Sequence, residues 1–298
     1  PDCARLEALT TAPLTRGDQI IQKSRTIMLL DFLQGGPGSF DVMAFLQALV
    51  VSLPAILLAL TLHEAAHGYV ALRCGDPTAK LMGRVTLNPL KHLDPKGFFA
   101  MLLIGVGWAK PVPVNPGNFK HPRRDDIMVS MAGIAMNLIQ FLLGCALMYA
   151  MLALALGRVP TAAYRPDGRF TVLVGLDRYA LTAHEAYTLA PMMNVYLIGP
   201  ILGTFWGYVY EFLVNYAVIN LSLAVFNLLP MPPLDGYHLL NDLILKRDLF
   251  APRKVQLIGQ ALVLLLVFTG VFGKGLGFVV NGAFEGMGQM AYALSGRF

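Results

Sequence analysis

Residues Val42–Leu72 read VMAFLQALVVSLPAILLALTLHEAAHGYVAL. Up to Leu62 the only polar residues are Gln47, Ser52 and Thr61. A helix crossing a bilayer needs ~20 predominantly apolar residues, and this stretch supplies them. It reads as one long helix from Phe40 to Cys74, with Pro54 setting a kink or tilt and Gly75-Asp76-Pro77 ending it by turn chemistry. Three ionisable side chains, His63, Glu64 and His67, then fall within five residues at its far end.

Further apolar blocks run through 127–156, about 206–229 and 255 to about 272. Of 298 residues, 56% are hydrophobic and 14% charged, where a soluble protein carries ~25% charged residues; mean hydropathy is +0.58. The expected fold is an all-α integral membrane protein. It is a polytopic bundle of about four to six transmembrane helices, with short membrane-associated extended or β segments near the site. Lys110 to Pro116, KPVPVNP, supplies such a segment, since its three prolines exclude helix. Residues 157–186 read as a polar interruption. Residues 191–229 read as an apolar stretch broken at Gly199-Pro200, and Pro230–Pro233 as non-helical. Asp235–Lys246 reads as a short amphipathic helix.

The first apolar block begins only near residue 42 and is too long for a leader's apolar core, so no cleavable leader is expected. Residues 1–39 are read as an N-terminal extension, with Met28 a natural start and 1–27 set aside as upstream sequence. Residues 40–298 are read as a single membrane-embedded domain, without internal repeat or regulatory insert. The net charge of +5 does not point to nucleic acid, because the basic residues sit between apolar blocks. Nine lie from Arg73 to Arg124 and four from Lys246 to Lys254, the pattern of cytoplasmic loops. Cys3, Cys74 and Cys145 are too scattered for a disulfide framework or a CxxC site.

His63-Glu64-Ala65-Ala66-His67 carries the chemistry. Residues i and i+4 share a helix face, so two imidazoles can grip one ion. Glu64 lies about 100° round the helix, off that plane but placed to take a proton from a metal-activated water. The pattern should arise by chance about 0.002 times in this composition. A merely structural polar cluster is disfavoured by cost: an ionisable group at mid-bilayer costs ~2.5–3.5 kcal/mol, and a divalent cation offsets it.

Catalytic zinc takes three protein ligands. His92, His121, His184, His238 and several acids are available. If the basic loop after Arg73 is cytosolic, residues 157–186 fall outside. One crossing within 206–229 then returns Asp235 to the side of the two histidines, provided 191–200 adds no crossing. Asp235 is therefore the expected third ligand, of one zinc ion per chain.

The same motif, followed far downstream by Asn227-Leu228-Leu229-Pro230-Met231-Pro232-Pro233-Leu234-Asp235-Gly236, resembles the site-2 protease family of intramembrane metalloproteases. Gly83–Leu90, His92–Pro95 and Gly107–Pro116 are similar to its compact bacterial members. The resemblance implies zinc on His63, His67 and Asp235, Glu64 as general base, and transmembrane protein substrates cut after local unwinding. The compact layout without a regulatory domain points to a prokaryotic plasma membrane. Gly133-Ile134-Ala135-Met136-Asn137 matches the family's Gly-Pro-x-x-Asn element, with Ile134 in place of proline. Asn137 and Asn227 are thereby candidates for binding substrate or an oxyanion, each weighed against a plain interhelical hydrogen bond. His92 and Asp94 are read as loop-structuring residues. Lys110–Asn115 could pair with unwound substrate as an added strand, and water would arrive from the cytosolic side past residues 76–96 and 108–126. Two rivals stand beside this reading. A divalent-metal transporter would spread polar groups along several helices, and an inactive relative would often lack one of the four groups that stand here.

Overall fold

The computed structural model describes residues 42–104, 107–159, 170–174, 177–188, 195–245 and 253–295. The proposed extension 1–39, Phe40 and Lys246 lie outside them. The described chain falls into two compact units: residues up to Ala48 with Asp94–Ala109, and Leu49–Leu93 with Lys110–Phe298. Within the first, α3 (Pro95–Ile104) opens on Asp94, whose Oδ1 accepts from the N–H groups of Lys96 and Gly97. This is the loop-structuring role expected of it.

α1 (Val42–Cys74) is the long helix expected, with Pro54 inside it. Gly75 turns the chain at φ +110°, a conformation glycine adopts without strain. Asp76 then ties the next loops together. Its carboxylate accepts from the Thr78 N–H (3.1 Å) and hydroxyl (2.5 Å), the Asn115 N–H (2.7 Å) and the Asn118 amide (2.8 Å). α2 (Thr78–Leu81) follows, and then a 3-10 turn at Pro89–Lys91. His92 Nε2 meets the Thr86 carbonyl at 2.9 Å and stays in the loop. Lys110 starts the extended segment, held by its N–H on His92 O (2.8 Å) and by Arg84 Nη2 on its carbonyl (2.6 Å).

α4 (Pro122–Arg158) and α7 (Thr204–Asn227) pack side by side. Their patterning inverts that of a soluble helix. The buried face of α4 carries Ser130, Gly133, Asn137, Gln140 and Gly144, whereas Leu138, Ile139, Leu142 and Leu143 are exposed. Lipid is as apolar as leucine, so small and polar residues go inward, where they pack closely and find partners. α1 does likewise: Ala55, Ala59, His63, His67 and Ala71 repeat every four residues and are all buried. Among the described residues, three helices, Leu49–Cys74, Pro122–Arg158 and Thr204–Asn227, are long and apolar enough to cross a membrane. A fourth crossing is available if α9 (Arg253–Phe268) and α10 (Val271–Leu294), bent by 68°, count as one. The protein is an all-α polytopic membrane protein, and its described residues supply three or four of the four to six crossings expected.

Three local readings differ. The break before α7 falls at Gly203 (φ +104°) rather than at Gly199-Pro200. Pro200 sits inside α6 (Val195–Leu202), near its end, where few backbone bonds remain to be lost. α6 is eight residues long, about 12 Å, and does not cross by itself. Residues 170–181, read as polar connection, hold an antiparallel hairpin, β1 (Phe170–Val174) with β2 (Asp177–Leu181), in register Phe170↔Leu181 to Val174↔Asp177. The β-formers in FTVLV were the signal. α10 extends far beyond Phe272 despite glycines at 273, 275, 277, 282 and 286. Their low helix propensity is offset by packing of Val280 and Phe284 onto α4 and α7, and by Tyr149 donating to Phe284 O at 3.0 Å. α5 (Ala183–Thr188) adds Tyr187 to this cluster.

Burial works against charge on Asp76, but the donors from Asn115, Asn118 and Thr78 hold its pKa below the usual carboxylate value. A lowered folded pKa means the stabilisation is complete above ~3.9 and is lost only as pH falls through the lower folded value. Asp76→Ala should therefore raise hydrogen–deuterium exchange across 110–118 at neutral pH, whereas the parent should protect that segment until well below pH ~4.

Candidate metal centre

The four-residue repeat on α1 aims His63 and His67 at α4. Gly133 makes the approach feasible: a Cβ there would collide with Nε2 of His67 and Cε1 of His63. The His67 ring is fixed from behind, since its Nδ1 donates to Val129 O at 2.8 Å, leaving Nε2 as the free lone pair. The two Nε2 atoms stand 3.0 Å apart.

Asp235 arrives from the other end of the sequence. After α7 ends at Asn227, the chain turns through Leu228–Leu234 and re-enters helix as α8 (Asp235–Leu239), which continues as π-helix over Leu240–Leu245. Gly236 lets α8 sit directly on the Leu228 and Leu229 carbonyls, where any Cβ would clash. Asp235 Oδ2 consequently lies 3.5 Å from His63 Nε2 and 3.3 Å from His67 Nε2. It is buried and has no hydrogen-bond partner. Among the described residues, His63, His67 and Asp235 are the one group whose ligand atoms lie mutually within 4.8 Å. Two imidazoles and an unpartnered carboxylate oxygen, aimed at one point, fit a borderline-soft divalent cation such as zinc.

Glu64 takes a different direction. Its Oε2 accepts the Val112 N–H at 2.8 Å, joining the histidine helix to the extended segment. Asn137 is fully buried with its amide 3.0 Å from His63 Nδ1. Asn227 closes α7 and is partly buried, with no side-chain hydrogen bond among the described residues to tie it to the cluster. His184 sits on α5 with its ring against Tyr292, and His121 precedes α4. His238 bonds Asp126 at 3.2 Å, fastening α8 to α4 beside the Arg123 contact with the Asp242 carbonyl.

Sequence reasoning did not single out Gln140 or Tyr216, which continue from Asn137 into the bundle, nor the steric roles of Gly133 and Gly236. For α4 the signal was present as Gly133, Asn137, Gln140 and Gly144 at helical spacing in an apolar run.

The chain belongs to peptidase family M50, the site-2 protease family, whose model matches residues 51–269. It is 37% identical over 189 residues to the candidate zinc metalloprotease YwhC of Bacillus subtilis, covering 63% of this chain and 67% of that one. It is 28% identical over 262 residues to the candidate zinc metalloprotease Rip2 of Mycobacterium tuberculosis, covering 85% of this chain and 77% of the relative. The Rip2 of Mycolicibacterium smegmatis is 25% identical over 258 residues, 85% of this chain and 80% of the relative. No solved structure matches.

Gly133→Ala tests the geometry. Alanine favours helix, so helical content should hold, while zinc affinity measured by chelator competition should fall about tenfold or more as the imidazoles are pushed apart.

Proposed function

We propose that this chain is an intramembrane zinc metalloprotease that hydrolyses peptide bonds in or near transmembrane segments of membrane proteins. His63, His67 and Asp235 would hold one zinc ion, and Glu64 would be the general base. The observation that carries the reading is the convergence of His63 Nε2, His67 Nε2 and Asp235 Oδ2 between helices long enough to span a bilayer. When bound, zinc would supply Lewis acidity and lower the pKa of a coordinated water toward ~7.

The chain's own residues do the rest. Glu64 Oε2 is engaged by Val112, so Oε1 takes the proton of the attacking water and passes it to the leaving amine. Asp235 balances the charge of the site. The extended Lys110–Asn115 segment, tethered to the base by that same bond, is the place for unwound substrate to pair. Val112 packs its side chain close to Gly68, so its own substitution would disturb packing. Val114 is the better probe of pairing. The nine basic residues between Arg73 and Arg124 support a cytosolic position for this end of the bundle, in a prokaryotic plasma membrane.

Cleavage of a panel of single-span substrates by purified protein, with zinc content measured alongside, is the first experiment. The parent should bind about one zinc and cleave, and Glu64→Gln should keep the zinc and lose cleavage by at least ~100-fold. A folded parent without metal would overturn the reading. Charged or bulky residues at Val114 should slow cleavage without changing zinc content, and unchanged cleavage would remove the pairing role.

A further inference from the structure

Asp235 reaches the two histidines on a short support. α8 has five residues before it passes into the π-helix Leu240–Leu245, too few to hold themselves by their own hydrogen bonds. Ahead of it, Leu228–Leu234 is a run of turns and bends. Gly236 seats α8 on the Leu228 and Leu229 carbonyls, which belong to that same run. Asp235 Oδ2 has no hydrogen bond to fix its direction. The position of the carboxylate has to be set from outside the segment.

The start of α4 sets it. His238 and Asp242 are four residues apart and share a face, and both meet α4, against which α8 and the π-helix pack. His238 Nδ1 stands 3.2 Å from Asp126 Oδ2. A carboxylate offers only lone pairs, so the ring is the donor. Arg123, three residues before Asp126 on the same face of α4, donates from Nε and Nη2 to the Asp242 carbonyl. The adjacent acid, Asp125, is committed elsewhere: its Oδ2 accepts the His121 N–H at 2.8 Å at the start of α4 itself. The His238 side chain is 49% exposed, so burial of its ring does not account for the contact.

α4 is also the helix on which both histidines rest. His67 Nδ1 meets Val129 O, and the two imidazoles lie against Gly133. All three ligands are therefore referred to one helix, the histidines through Val129 and Gly133 and the carboxylate through Arg123 and Asp126.

We propose that the His238–Asp126 and Arg123–Asp242 contacts form a latch that positions Asp235 as third ligand, by clamping its short helix to the helix the histidines lean on. The four are positioning residues, each acting through Asp235. The inference rests on the metal site proposed above.

The test uses the purified full chain with cobalt(II) added, because the visible spectrum of that ion reports its ligand set. Asp235→Ala and His63→Ala supply the reference spectra for loss of the carboxylate and of an imidazole. His238→Ala and Asp126→Ala should each move the parent spectrum toward that of Asp235→Ala, and should weaken zinc about tenfold by chelator competition. The double variant should bind no more weakly than either single one, because both remove the same contact. His238→Asn, which keeps an N–H near the Nδ1 position, should recover most of the loss. In the alanine variants hydrogen–deuterium exchange should rise over 228–245 and stay at the parent level in α1. A parent that takes neither metal overturns the metal site and this inference with it. A parent that takes metal, with His238→Ala and Asp126→Ala keeping its spectrum and affinity, overturns the latch alone. Exchange rising equally in α1 does the same, since the contacts would then hold the whole bundle rather than place one ligand.

Discussion

Asp235 Oδ2 stands within 3.5 Å of two histidine nitrogens, and most of the fold can be read as what that meeting requires. A buried carboxylate oxygen without a hydrogen bond is expensive anywhere, and more so where water is scarce. Two glycines make the meeting possible. Gly133 admits the imidazoles against α4, and Gly236 admits α8 against the end of α7. Neither has a functional group. Both remove a side chain from a place where backbone or ring must go.

The architecture follows from solvent. In a bilayer the helices gain little from burying leucine against leucine, so cohesion comes from close packing and from polar contacts inside the bundle. The buried face of α4 supplies both, with Gly133 and Gly144 flanking Asn137 and Gln140. Residues that bring helices together are thus the same ones that reach the site. Stability and chemistry are not separable along this face.

Much of this was legible beforehand. The apolar block containing His63 and His67 announced both a span and a face carrying two adjacent imidazoles, because helical spacing is a short-range property. Asp235 could be reached from topology, since the parity of crossings fixes the side on which a residue emerges. What escaped were features set by distant packing. The glycine-rich α10 reads poorly as helix until Val280 and Phe284 are seen in the core. The break at Gly203 was misplaced because Pro200 looked the stronger punctuation, though a proline near the end of a short helix disrupts little. The row from Asn137 through Gln140 to Tyr216 joins two helices far apart in sequence, and no local pattern pairs them.

The prolines at 111 and 113 carry a consequence of another kind. On an extended chain successive residues present their backbone groups to opposite sides. Lys110 and Val112 spend theirs inward, on His92, Arg84 and Glu64. The outward side is left to Pro111 and Pro113, which have carbonyls and no N–H. Two such rims brought face to face would set oxygen against oxygen. The segment is therefore poorly suited to zipping with its own copy in a crowded membrane, and self-association through this edge is blocked by the same residues that keep it extended.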